Sequence, residues 1–534
     1  MIKLTPSSVF EEYKKSINFK NSIGKHGIFE QAVINERFYV GDQWHGANCG
    51  NRRPLVRHNI IKRIGEFKMA QILASPFSVK YGINGVPRLS SASKVPLKNR
   101  ALNIKESKNI GNDELNNLED VLDKYYLVTS KRLHLNSAFA AALKDAYIFG
   151  TGIVYTYWDG RIQTGTVKNS VPITGDIKTE VLDVRNVSFG NPYEKDIEKQ
   201  PFIIIASVKS TDDIAKMCLE RGGDEFALNR ICSLGEKATL LTLLYKATDA
   251  DGKETVMCAK FTENETVCPP YNTRLRRFPL AVFRWDDLKS TVYGESEITH
   301  IIPNQIAINR MITANVWAAI TMGMPLMLVN GDTIEGDITN DPGQIIKVFG
   351  TNEDVAGSVK YVTPPDITSN FGNSVNTLIE TTLTQCGANE VALGDSKADN
   401  MGALSIMRSA ATMPLNLIKE NFKRFVEEVA LIWADFWITQ YGLRKIKIND
   451  DSGIWYMPFN GDRYKGLTIS CSAEVVPAPE FTAKESISLL TELLEKNIIT
   501  KKEFFERLPS GLIPDCETID VSPIEKKGET NDGI

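Results

Sequence analysis

Up to Phe149 the apolar positions recur at helical spacing; beyond Gly150 they gather into β-branched and aromatic runs. Phe10, Tyr13 and Ile17 mark an amphipathic helix at the start of the chain. A second helix is predicted from Phe29 to Val40, running into the turn Gly41-Asp42, and a third from Asn59 to Leu73, stopped by Ser75-Pro76. Asp113 to Phe149 reads as one long helix ending at Gly150. Ile153–Trp158, Ile173–Val187, Phe202–Val208, Leu240–Lys246 and Thr255–Phe261 then read as strands, bounded by Gly, Pro, Asn and Asp. Inside this β-rich block one helix is expected from Thr211 to Arg221, with Thr211 as its N-cap.

The second half follows a different pattern. Pro303 is expected to initiate a helix from Asn304 to Met322. Between Glu297 and Asp332 the only formal charge is Arg310, whereas a helix on the surface of a monomer normally carries a charged stripe. Ile367 to Leu393 has the same character, with Glu380 and Glu390 as its only charges, so the two segments look like a pair. Between them lies a small β-type module: hairpin signals at Asn330-Gly331 and Asn340-Asp341-Pro342-Gly343, and strand-like Gln344–Phe349 and Val359–Thr363. A short polar stretch, Gly394-Asp395-Ser396-Lys397-Ala398-Asp399-Asn400, leads into a long helical pattern from Met401 to about Tyr441. Pro414 is expected to kink it by removing a backbone bond and crowding the preceding turn. Strands at Ile454–Phe459 and Leu467–Val476, helices at Ala483–Lys496 and Lys501–Arg507, and a polar stretch from Ile519 complete an α+β chain.

Charge and candidate chemistry narrow the function classes. Sixty-two basic residues against 66 acidic ones give a formal charge of −4, which argues against tight nonspecific binding to nucleic acid. The eight cysteines are scattered with no C-x-x-C pair, and are read as reduced thiols of a protein made in the cytosol. No secretory signal opens the chain, and its most apolar segment, Val316–Val329, is interrupted by Gly323 and Pro325 and is shorter than the roughly 20 residues a membrane span needs. Phosphate-loop, zinc-protease, nucleophile-elbow and dinucleotide motifs are absent, and the five histidines stand apart from one another. Asp332, Glu335, Asp337 and Asp341 do not follow calcium-loop spacing and read as solvated turn acids. No catalytic residue, cofactor or metal is expected, and an enzyme is not.

Several stretches resemble one family. Asn35-Glu36-Arg37-Phe38-Tyr39-Val40-Gly41-Asp42-Gln43-Trp44, followed by Arg53-Pro54-Leu55-Val56 and Asn59-Ile60-Ile61-Lys62, resembles the N-terminal signature of tailed-bacteriophage portal proteins, closest to the short-tailed-phage branch. Ala146 to Gly152, Asp183 to Val187 with Asn191-Pro192, and Ala392-Leu393-Gly394-Asp395 are similar to the same family. The resemblance spans roughly residues 28 to 500, and its weight lies in the joint order of the stretches. It implies a wing (1–295), a stem helix (296–323), a clip (324–366), a second stem helix (367–393), a tunnel loop (394–400), a long kinked helix (401–442), wing return strands (443–480), crown helices (481–518) and a disordered tail (519–534). It also implies a ring, usually of twelve copies, at one capsid vertex of the virion, assembled in the host cytoplasm. Double-stranded DNA would pass through it during packaging and ejection. The terminase large subunit, the major capsid and scaffolding proteins, and head-tail adaptors would be its partners. One departure is that the chain ends too soon after Arg507 for the long C-terminal barrel some members carry.

Under that resemblance Asn309, Arg310 and Thr313 are candidate channel residues, because a charge-poor Thr/Asn/Ala surface would let a duplex slide where bound phosphates would hold it. The other reading is that the helices are buried in an ordinary core. Gly394 to Asn400 is either a finger near DNA, in which Lys397 meets phosphate and Asp395 and Asp399 weaken the grip, or a solvated connection whose Asp399 or Asn400 caps the next helix. Asp332, Glu335, Asp337 and Asp341 are candidate partner-binding residues of the clip. A virion-associated nucleic-acid-processing enzyme and another capsid or tail structural protein are the alternative functions.

Overall fold

The computed structural model describes residues 4–45, 54–74, 77–83, 112–168, 171–222, 225–248, 252–322, 326–329, 334–335, 347–349, 359–362, 368–388, 413–450, 453–464, 466–475, 483–496 and 504. The chain divides into two compact units, Met1–Leu73 with Phe77–Glu474, and Ala74–Pro76 with Val475–Ile534. The described helix of the second unit is Ala483–Glu495, where Thr491 donates back to the Ile487 carbonyl at 2.8 Å.

The first unit is α+β. Helices α1 (Pro6–Ser22), α2 (Gly27–Val40) and α3 (Ile60–Leu73) are followed by strand β1 (Phe77–Ile83). The expected single helix from Asp113 to Phe149 is two, α4 (Asn112–Arg132) and α5 (Leu135–Phe149). His134 breaks it with a left-handed backbone (φ 49°), and its carbonyl accepts from Ser137 and Ala138 to start the new helix. Neither Gly nor Pro marks that break, so the apolar period ran through it.

Strands β2 (Thr151–Lys168) and β3 (Val171–Leu182) pair antiparallel, with β9 (Leu280–Arg284) on the other side of β2. A five-stranded sheet, in the order β4 (Val187–Phe189), β5 (Phe202–Ser210), β6 (Lys237–Thr248), β7 (Glu254–Phe261) and β8 (Thr266–Asn272), is antiparallel throughout. β8 escapes a sequence reading because it contains Pro269 and Pro270; at the sheet edge their missing N–H groups need no partner. One face of this sheet, through Ile204, Leu241, Leu243 and Phe261, packs on Val9, Phe10 and Tyr13 of α1. Between β5 and β6 come α6 (Thr211–Glu220) and α7 (Glu225–Cys232). The N-cap of α6 is Ser210 rather than Thr211: Ser210 accepts from the Asp213 amide at 3.3 Å, while the Thr211 hydroxyl donates to the Gly235 carbonyl at 2.8 Å.

α8 (Glu297–Met322) leads to strands β10 (Leu326–Val329), β11 (Ile334–Glu335), β12 (Lys347–Val348) and β13 (Val359–Val362), and α9 (Thr368–Gln385) follows them. The helix does not start at Pro303. Ser296 opens it by accepting from the Ile298 amide at 3.1 Å, and Pro303 lies inside, without the N–H that would reach Thr299. A 3-10 turn, Met413–Leu415, holds Pro414 and opens α10 (Asn416–Gln440). Residues 389–412, including the expected helix start at Met401, lie outside the described residues; the described helix begins after Pro414.

α10 forms the centre of the core. Phe422, Phe425, Val426, Val429, Trp433, Phe436 and Trp437 are buried, at the three- and four-residue spacing of a helix enclosed on most sides. Phe77, Phe139 and Phe283 place their rings 5.3–5.7 Å from Phe422. Trp433 donates its indole N–H to Thr179 at 3.1 Å, and Tyr81 donates to the Ala430 carbonyl at 3.0 Å, so the aromatic bodies are buried with most of their polar ends bonded. The hairpin β14 (Leu443–Asp450) and β15 (Gly453–Asn460) follows, and β16 (Ile469–Val475) pairs with β1.

Candidate functional site

The two charge-poor helices are neighbours. Asn304, early in α8, donates to Thr382, late in α9, at 3.2 Å, so the pair runs antiparallel with the β module joining its far ends. The base of α8 is fastened by an ion pair of low exposure: Lys68 lies 2.5 Å from Glu297, which also accepts the Trp285 indole N–H at 3.0 Å.

Above that base, Gln305, Asn309 and Thr313 form a ladder on one side of α8. Gln305 accepts from the Ile60 amide at 3.0 Å and donates to the His58 carbonyl at 2.6 Å. Asn309 accepts from the His58 amide at 3.0 Å and donates to Gln43 at 2.6 Å. Thr313 accepts from the Val56 amide at 3.1 Å. The match has a geometric cause: four helical residues rise about 6 Å, close to the roughly 6.6 Å spanned by two extended residues. A helix stripe thus takes the part of a neighbouring strand for the segment Val56–Ile60. Asn309 is only 2% exposed and its amide is committed to these contacts, so it is corrected from a channel residue to an internal one. Thr313 is half-buried in the same ladder.

Arg310 lies one residue round the helix and is exposed. It borders a cleft of about 440 Å³ with Arg37, Phe38 and Trp44, whose indole N–H donates to the Val56 carbonyl at 3.1 Å. From Met311 to Ile320 α8 has no formal charge and no buried residue, and Ile320 is 46% exposed. On α9, Thr377 and Thr381 turn their hydroxyls back onto the carbonyls of Asn373 and Thr377 at 2.9 and 2.7 Å. Their methyl groups and the neighbouring Asn373 and Asn376 then make an exposed surface whose only charge is Glu380.

The β module is nested. β10 pairs with β13 from Leu326↔Val362 to Val329↔Val359, and β11 pairs with β12 inside it, with Glu335 in register with Lys347. Asp332, Asp337 and Asp341, and all of Gly394, Asp395, Ser396, Lys397, Ala398, Asp399 and Asn400, lie outside the described residues.

The family-like stretches owe their residues to packing. Gly41 closes α2 in the left-handed region (φ 95°), Asn35 donates to the Ile148 carbonyl at 2.9 Å, and Asn59 caps α3 by accepting from Lys62 at 3.1 Å. Gly150 closes α5 (φ 83°), and a side chain at Gly152 would place its Cβ 2.0 Å from the Ala142 carbonyl oxygen. Asp183 accepts from the Arg185 amide at 2.8 Å and pairs with its guanidinium.

Among the described residues no group of His, Cys, Asp or Glu could hold a metal ion, and no helix is long and apolar enough to cross a membrane. Compared with known proteins, the chain matches no family model and no curated protein.

Proposed function

We propose that the chain is a subunit of a portal ring, a homo-oligomer, twelvefold by the habit of the family it resembles, at one vertex of a tailed-phage capsid. Its channel would carry double-stranded DNA in packaging and ejection. The antiparallel pair α8 and α9 would be the stem. The β10–β13 module would be the clip, docking the terminase large subunit and later the head-tail adaptors, while the outer faces meet the major capsid and scaffolding proteins.

One observation carries the reading. Met311–Ile320 is an uncharged helical stretch in which no residue is fully buried and Ala314, Ala319 and Ile320 are exposed. In an isolated chain that surface would be left against water, where apolar contact gains nothing. In a closed ring every copy covers it with the next, and the exposed polar, nearly uncharged side of α9 would face a moving duplex without binding its phosphates.

The reading is tested with Ile320→Lys. Because Ile320 is already 46% exposed, the folded chain is expected to keep its stability within about 0.5 kcal/mol. Sedimentation should show rings for the parent and their loss or weakening for the variant; unchanged assembly would count against α8 as the contact.

A further inference from the structure

The face of the five-stranded sheet turned away from α1 meets the β2–β3 sheet across a cleft of about 800 Å³. Strand register explains its composition. Ile205, Thr242 and Lys260 lie side by side across β5, β6 and β7, and Cys258 is opposite Tyr271. From the facing sheet come Tyr155 and Tyr157, stacked at 5.5 Å and 23°, with Glu180 opposite Tyr155.

The charge around this cleft is one-sided. Lys209, Arg221, Lys260 and Arg274 line it against Glu180 alone, in a chain whose formal charge is −4. Two of these cations act on the third: Lys260 is held below the usual lysine range chiefly by burial, and further by Lys209 and Arg221 nearby. The arrangement is fixed by its surroundings. The Arg221 guanidinium sits 4.8 Å over the Tyr271 ring, and Arg274 keeps a left-handed backbone (φ 63°) rare for a residue with a side chain. Like charges gathered on a partly desolvated cleft destabilise the empty protein, and an anion placed among them removes that repulsion. The stacked tyrosines add a flat apolar wall beside the charges, and the volume falls in the range of about 300–1,000 Å³ usual for small-molecule sites.

We infer that this cleft binds a phosphate ester carrying a planar ring, of the size of a mononucleotide, with its phosphates among Lys209, Arg221, Lys260 and Arg274 and its ring against Tyr157. The site lies on the two β-sheets and is independent of the portal reading.

Calorimetric titration of the full chain with ATP, inorganic pyrophosphate and adenosine tests it. ATP should bind, with pyrophosphate weaker and adenosine weakest. Lys260→Gln should weaken ATP about tenfold, as expected for one lost charge-assisted phosphate contact, and Lys209→Gln, at an exposed position that leaves the fold alone, should act in the same direction. Tyr157→Ala should weaken ATP but not pyrophosphate. No heat from ATP or pyrophosphate at millimolar concentration, or binding that Lys209→Gln and Arg274→Gln leave unchanged, overturns the inference. So does equal binding of ATP and pyrophosphate, or binding of polyglutamate in place of both, which would make the cleft a seat for an acidic peptide.

Discussion

At the scale of single residues, the structure separates polar groups that hold the fold from those open to partners, and the two can be adjacent. Asn309 and Arg310 looked alike as the polar positions of a charge-poor helix, yet one is committed to the ladder and the other is exposed. Truncating Asn309 to alanine leaves the buried Gln43 oxygen without its partner, at roughly 1–3 kcal/mol, and also removes the part-buried bond to the His58 amide. Denaturant unfolding should therefore show Asn309→Ala as clearly destabilised and Arg310→Ala as nearly neutral; equal effects would mean that the ladder contributes no stability. The spacing of Gln305, Asn309 and Thr313 was visible in the sequence, but only the extended segment opposite them reveals that they bind backbone.

Lys20 is a second such residue. It is fully buried and donates to the carbonyls of Val184 and Arg185 at 3.0 and 2.9 Å, with its ammonium near the rings of Phe29 and Tyr293. Burial lowers its pKa from 10.5 to about 7, against the weaker opposing pull of Asp183. Between those two values the unfolded chain holds more protons than the folded one, so this group makes stability rise with pH from about 7 towards 10.5. Denaturant midpoints at pH 7 and pH 9 should rise for the native chain relative to Lys20→Met. Parallel shifts in both would show that the lysine does not titrate in this window.

At the scale of elements, much of the order along the chain was legible because period and punctuation were strong. Gly41 and Gly150 end helices, and runs such as Phe202–Val208 and Thr255–Phe261 coincide closely with β5 and β7. The misses share a cause, namely that a tertiary partner decided the local outcome. His134 takes a left-handed turn without a glycine, Pro303 is carried inside a helix opened upstream by Ser296, and β8 tolerates two prolines because it is an edge. The junction of α5 and β2 is the most constrained of these elements. At Gly152 a methyl group would meet the Ala142 backbone, which cannot give way as a flexible side chain can. Gly152→Ala should lower stability by roughly 3 kcal/mol or more in thermal or denaturant melts; a variant as stable as the parent would mean that the helix–strand packing is looser than described.

At the scale of the whole molecule, the first unit contains an ordinary core around α10, which also takes in Ile298, Ile301 and Ile308 of α8 and Leu383 of α9, and this helix pair leads into a small nested hairpin module. A core of that kind could belong to many functions. The uncharged, only half-buried end of α8 is what sets this chain apart, because heterologous contact between identical subunits closes into a ring when the rotation allows it. The candidate loop Gly394–Asn400 and the clip acids Asp332, Asp337 and Asp341 were nominated from sequence and lie outside the described residues, whereas the ladder and the charged cleft between the sheets emerged only once segments distant in sequence were brought together. The most direct measurement is electron imaging of the purified full chain under assembly conditions, with the native mass of the same sample. Closed rings with a central opening wide enough for a duplex are expected, with a mass that is an integral multiple of the subunit, near twelve. A monomer under every condition, or an assembly without an opening, would contradict a portal ring.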